Sequence, residues 1–242
     1  MIQKEMKVEE LKNYGKNVLE ISASSASAGK KLKIAKAAGK FFLKALWYMG
    51  IRGTVSLLKN FKKDMAEAKS LDWSDVLAKG ISQKNLDSII KKFVVNKGIA
   101  SRIGRDRLQT LRFEFSSVAS YDVMEEMFAS AATFMACGNG DFLPPFRKYF
   151  LAMMDRMAES GIESYVVETD EKDVFKLNVT YCAYYEVAKK LSDPYLCYIT
   201  SCHGDEVFFE RFCGEAGFTY AREGTLATGK RVCDECFTRK KA

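Results

Sequence analysis

Five side chains in the last quarter of the sequence have types and spacings suited to chemistry: Cys182, Cys202, Asp205, Cys233 and Asp234. Cys182 closes the run Asn178-Val-Thr-Tyr-Cys182. Cys202 follows twenty residues later in Ser-Cys-His-Gly-Asp205, and Cys233 lies in Arg-Val-Cys-Asp-Glu-Cys. A thiolate attacks a polarised C=N or C=O carbon when its pKa is depressed and a proton carrier is near. Asp205 is three residues after Cys202, about one turn if the segment is helical, so the two side chains share a face. His203 is the only histidine, so any Cys-His or Ser-His pair must use it, and zinc sites built on two or three imidazoles are excluded.

Three readings of these residues compete. One is a hydrolytic pocket. In it Cys202 is the preferred nucleophile, because it lies near a possible helix start after Pro194 and beside His203. The opposing version has Asp205 activate water directly. The second reading is a four-thiolate metal site from Cys197, Cys202, Cys233 and Cys236. Its Cys-x4-Cys spacing within a helix is poorly shaped for a metal knuckle, and no metal ligand is assigned. In the third the cysteines are small apolar core residues, which is the expectation for Cys137, Cys197 and Cys213.

The elements that must position these groups follow from hydrophobic periodicity. Val174–Cys182 alternates Phe175, Leu177, Val179 and Tyr181 with polar residues, a half-buried strand. With Glu163–Glu168 and the polar turn between them it forms a β-hairpin. Helices follow over Tyr184–Leu191 and Leu196–Phe212, then short strands over Phe218–Arg222 and Val232–Thr238. The order β-β-α-α-β-β predicts an antiparallel sheet with helices on one face. Upstream, Pro144-Pro145 opens a helix reaching Ser160-Gly161, and Ser120–Cys137 reads as a helix ended by Gly138. Leu108–Val118 alternates in part and is a candidate strand. The preceding stretch is all-helical: Val8–Ile21, a small-residue linker over Ser22–Gly29, then Lys30–Met65 with Leu32, Ala35, Phe42, Leu46, Met49 and Leu57 on one side and breaks at Gly39, Gly50 and Gly53. A helix from Ser82 stops at Gly98. The whole is an α+β protein: a basic helical region over 1–104 and an α+β unit over 105–242.

Composition narrows the function classes. Apolar residues are 48% of 242, enough for a substantial core. The charged N-terminus lacks the apolar stretch of a signal peptide, and no window is long enough to span a bilayer. A cytoplasmic location with reduced thiols is expected. The net charge of +7 divides unevenly. Residues 1–112 hold 24 Lys and Arg against 10 Asp and Glu, and residues 113–242 hold the remaining 14 against 21. Mutual attraction of the halves explains this better than a nucleic-acid face, because no helix-turn-helix, zinc-finger or RNA-binding motif accompanies the charge. A membrane surface for Lys30–Met65, through Phe41, Phe42, Trp47 and Tyr48, is less favoured than a helical layer packed on the rest of the chain.

One pattern is more specific than its parts. Asn178-Val-Thr-Tyr-Cys182-Ala-Tyr-Tyr-Glu186, Cys202-His-Gly-Asp205, Gly217-Phe218, Arg222-Glu-Gly-Thr225-Leu, Gly229 and Cys233-Asp234 occur in the order seen in the L-2-amino-thiazoline-4-carboxylic acid hydrolase family. The resemblance covers about residues 105–242. Ala183 stands where that family usually has proline, and Glu235-Cys236 replaces an aromatic and its neighbour; Cys236 and His203 lie outside the resemblance. It implies hydrolytic opening of a thiazoline ring at its C=N carbon, yielding a carbamoyl-cysteine, with no added cofactor and a small molecule as the partner. In the roles inferred here, Cys202 or Cys182 attacks, Cys233 and His203 complete the catalytic set, and Asp205 moves the proton. Arg222 binds the carboxylate, with Thr225 and Asp234 also on the substrate. The alternative is a non-catalytic binding or sensor module using the same pocket.

Overall fold

The computed structural model describes residues 28–127 and 130–240. The expected helix over Val8–Ile21 and most of the Ser22–Gly29 linker lie outside them. Helix α1 spans Ala28–Lys69. Of its three candidate breaks only Gly50 departs from helical geometry, with φ 63°. A positive φ is readily adopted by glycine alone. The apolar side differs from expectation: Phe41 and Ala45 are buried, whereas Leu32, Phe42 and Leu46 are exposed. The periodicity there fits either face, and packing of Phe41 against Arg112 and Phe115 decides it.

A short helix α2, Ser74–Leu77, precedes α3, Gln83–Ile103. The Ser82 hydroxyl caps α3 by accepting from the Asn85 amide at 3.2 Å. This helix does not stop at Gly98. A Cβ there would come within 2.5 Å of Leu57, so the glycine admits the α1 side chain rather than ending α3. Gly104, with φ 87°, is the actual stop. Helix α4 then runs over Arg105–Met127, so the strand expected at Leu108–Val118 is helical. Leu108, Leu111 and Ala119 are buried at helical spacing. Phe113 belongs to another face, where it stacks on His203. The helix expected over Ser120–Cys137 is the end of α4 plus a separate α5, Ala131–Cys137, capped by Ser130.

Helix α6, Leu143–Glu159, begins with prolines inside its first turn, where their missing amides cost nothing. The hairpin follows as strands β1, Glu163–Asp170, and β2, Val174–Cys182. Helix α7, Ala183–Lys190, leads to a continuous helical run: α8, Tyr195–Cys197, a π turn over Tyr198–Cys202, and α9, His203–Glu215. Strands β3, Phe218–Ala221, and β4, Cys233–Arg239, complete an antiparallel sheet of order β1-β2-β4-β3. The α+β class holds, with helices preceding and covering the sheet.

Two cores hold these layers. In one, α6 and α9 cover the inner face of the sheet with phenylalanines: Phe146 and Phe237 lie 5.0 Å apart edge to face, and Phe150 meets Phe175 and Phe209 similarly. Each such ring contributes about 2–3 kcal/mol by burial alone. In the other, α3 packs with α7, α8 and part of α4 around Leu86, Ile90, Phe93, Val187 and Leu196. No described helix is long and apolar enough to cross a membrane.

Candidate active site

A cavity of about 450 Å³ lies where the two cores meet, a volume suited to a small molecule. Two irregularities aim groups into it. On β2 the pairing steps from Tyr165↔Val179 to Ser164↔Tyr181, leaving Thr180 as an extra residue. Such a bulge reverses which residues face inward. Val179 points in as the alternation predicts, but Tyr181 then points out and Cys182 points in, opposite Glu163. The π turn is the second irregularity. It lies between Cys197 and α9, and Cys197, Cys202 and Asp205 all reach the cavity. Turns of this kind are frequent at functional sites.

Cys182, Cys202, Asp205, Cys233 and Arg222 therefore line one cavity, together with Glu163, Glu235, Lys92, Arg112, Tyr184 and Cys197. Met124, Met153, Met154 and Met157 form much of its apolar wall. Cys197 is not merely a core residue: its sulfur is 4.0 Å from that of Cys202. A second depression of about 400 Å³ between α1 and α4, lined by Lys33, Lys36, Lys40 and Glu114, contains no thiol and one carboxylate.

The other expected site residues lie elsewhere. His203 stacks on Phe113 with ring centroids 3.5 Å apart, one helical step away from Cys202, and is not part of the cavity lining. The Thr225 hydroxyl is buried in a capping box with Thr228. Asp234 lies on the outer face of β4, where it accepts from the amides of Glu223 at 3.1 Å and Gly224 at 3.0 Å. Cys236 is on that same outer face, paired with Lys176. Cys197, Cys202, Cys233 and Cys236 thus cannot converge as four thiolates. Among the described residues no group of three or more His, Cys, Asp or Glu is placed to hold a metal ion.

Arg222 lines the cavity, yet its fork is committed within the protein. It donates to Glu235 at 2.9 Å, to Glu206 at 2.9 Å and to the Cys202 carbonyl at 2.6 Å. The Tyr220 hydroxyl also donates to Glu235. Burial works against the Arg222 charge, but Glu235, Tyr220 and Asp205 outweigh it and hold the guanidinium charged. Each guanidinium nitrogen of Arg222, expected from sequence to meet a substrate carboxylate, thus already has a protein acceptor.

The remaining acids behave differently. Glu163 and Asp205 face the cavity while protein atoms enclose them otherwise. Burial raises Glu163 to about 8, reinforced by the nearby charges of Asp205 and Glu235. Burial also raises Asp205 to about 7 against the opposing pull of Arg222. Two carboxyls near neutrality in one cavity can exchange protons at physiological pH. The thiols are less promising as nucleophiles. Cys197 is pushed up by its sulfur contacts with Cys182 and Cys202, and then by burial. Burial also raises Cys233. At Cys182 the contact with Cys197 pulls down, but burial and Glu163 leave the thiol raised. Cys202 lies seven residues into the helical run that starts at Tyr195, and His203 beside it is turned onto Phe113.

Glu163, Glu235, Lys92 and Arg112 escaped the sequence reading, although the last three left a trace. Glu235 sits between Cys233 and Phe237 on the inward face of β4. Lys92 interrupts the stripe of Ile89, Phe93 and Asn96 on α3. Arg112 lies four residues after Leu108 and three before Phe115. A charge on an apolar face at matching period is the usable signal.

Comparison with known proteins gives one match. The family described as L-2-amino-thiazoline-4-carboxylic acid hydrolase matches residues 66–237. No curated protein and no solved structure matches the chain.

Proposed function

The chain belongs to the L-2-amino-thiazoline-4-carboxylic acid hydrolase family, and from that premise we propose that it hydrolyses a small cyclic amidine of the thiazoline type, opening the ring. The observation that carries this reading is the pair of cavity carboxyls, Glu163 raised to about 8 and Asp205 raised to about 7. Ionised Asp205 serves as general base toward water, and protonated Glu163 serves as general acid. Water adds to the amidine carbon while Asp205 takes its proton and Glu163 protonates the ring nitrogen. The tetrahedral carbon then returns a hydroxyl proton to Glu163 and forms C=O as the ring C–S bond breaks. The departing sulfur takes the proton held by Asp205. The net change is one water added, giving a carbamoyl-cysteine, with both carboxyls restored.

In this scheme the thiols shape the cavity and water is the nucleophile. Cys182, Cys197 and Cys233 are held toward their protonated forms, which are poor nucleophiles. The test is incubation of the purified protein with L-2-amino-thiazoline-4-carboxylate and related amidines, without added cofactor. Mass spectrometry should show gain of one water, and a thiol reagent should titrate one new sulfhydryl per turnover. Binding without product from any member of the panel would replace the hydrolase with a sensor.

A further inference from the structure

The cavity holds three cations, and only one is neutralised. Arg222 has Glu206 and Glu235. Lys92 donates to the Ser201 hydroxyl at 2.8 Å. Arg112 donates through two of its nitrogens to the Asn96 carbonyl oxygen, at 2.9 and 2.5 Å. Both partners are neutral, and among the described residues neither cation reaches a carboxylate within ion-pair distance. The acid that acts on Lys92 across the cavity is Asp205, the group poised to be half neutral.

The two cations also oppose each other. Burial disfavours the charged form of both, and the Arg112 charge further disfavours that of Lys92. Asn96, itself 1% exposed, links the Arg112 guanidinium to the Lys92 backbone. Its amide nitrogen donates to the Lys92 carbonyl at 2.7 Å while its oxygen receives the Arg112 fork. Burying like charges without counter-charge is costly, and a planar anion between them would remove that cost while matching guanidinium geometry.

We propose that Lys92 and Arg112 form a carboxylate subsite, with Asn96 as its positioning residue, and that this subsite makes the cavity selective for anionic substrates. The inference rests on the hydrolase reading only for the identity of the ligand ring. The carboxylate enters from the α3–α4 side, leaving the ring toward Asp205 and Glu163.

The test compares two probes on the full chain by calorimetry: 2-aminothiazole-4-carboxylate, and 2-aminothiazole lacking the acid. The wild type should prefer the anion by about 10- to 100-fold, the range for a charged hydrogen bond. Lys92→Met and Arg112→Met should erase most of that preference while leaving affinity for the neutral probe within about threefold. Lys92→Arg should restore part of it. Because no carboxylate among the described residues lies within ion-pair distance of the charge it removes, Lys92→Met should also raise the melting temperature of the ligand-free protein, which a purely structural lysine would not do. Equal affinity of the wild type for both probes, failure to bind the anion, or parallel loss of both probes in the variants would overturn the subsite. Anion-selective binding without hydrolysis would remove the hydrolase and keep the subsite. Turnover indifferent to the carboxylate would do the reverse.

Discussion

The two sides of the cavity handle buried positive charge in opposite ways. On the sheet side Arg222 is enclosed by two glutamates, a carbonyl and, through Glu235, a tyrosine. On the helical side Lys92 and Arg112 have a hydroxyl, an amide and the rings of Tyr184 and Phe41, none of them an anion. The first arrangement is complete without a ligand and fixes where β3, β4 and the π turn sit relative to one another. The second leaves a charge to be answered from outside. A buried arginine beside a pocket is therefore not by itself a substrate contact; what decides is whether its donors are already taken.

The strongest way to break this contrast is at the closed side. Arg222→Met leaves Glu235 and Glu206 without their counter-ion, and stability should fall by about 3–5 kcal/mol. Urea denaturation measures it. A loss below about 1 kcal/mol would mean that the cluster does not organise the sheet edge. Next in size is Asp205→Asn, which should lower kcat roughly 100-fold or more with little change in folding. Cys202→Ser should keep most of the activity. Steady-state kinetics on the two variants separates the water mechanism from attack by a thiolate, and the reverse ranking would restore the cysteine. Smallest when read per pH unit is a slope in stability. Glu163 and Asp205 have folded pKa values raised above their ordinary 4.5 and 3.8, so the folded state binds more protons than the unfolded. Their stabilising contribution is full below about pH 4 and is lost as pH rises through about 7 and 8. The slope is at most about 1.4 kcal/mol per pH unit for each group. Glu163→Gln should remove one proton's share of it in melts between pH 5 and 8.

The sequence reveals the two walls unequally. The hairpin, the Pro-opened α6 and the final strands follow from period and punctuation, because alternation on β2 and the Gly138 stop are local signals. Cys182, Cys202, Asp205 and Cys233 are recognisable as a set by order and spacing, and they do share the cavity. The cavity-lining charges on the helical side are harder to see. Lys92 and Arg112 sit among 24 basic residues in the first 112, and only three-dimensional pairing separates those with a carboxylate partner from those with neutral ones. The Thr180 bulge hides the switch from Tyr181 to Cys182, since nothing in Val-Thr-Tyr-Cys announces an extra residue. His203 illustrates the opposite hazard: adjacency in sequence to Cys202 turns it about 100° away on a helix, onto Phe113.

The methionine wall bears on how such a cavity discriminates. Met153, Met154 and Met157 come from one helix and Met124 from another. Beside them Phe150 and Phe209 also line the cavity, and Phe150 stacks on Phe146 and Phe146 on Phe142 in the packed core. Thioether chains have three soft rotations and low shape preference, so the front of the cavity behaves as a pliable lining over a rigid mould. Ring size and substituents can vary against that lining at small cost, whereas charge and proton placement at the two polar ends cannot. Under the proposed subsite, selection among ligands proceeds by electrostatic pattern more than by contour, and related heterocycles with one acid group would compete for the same space.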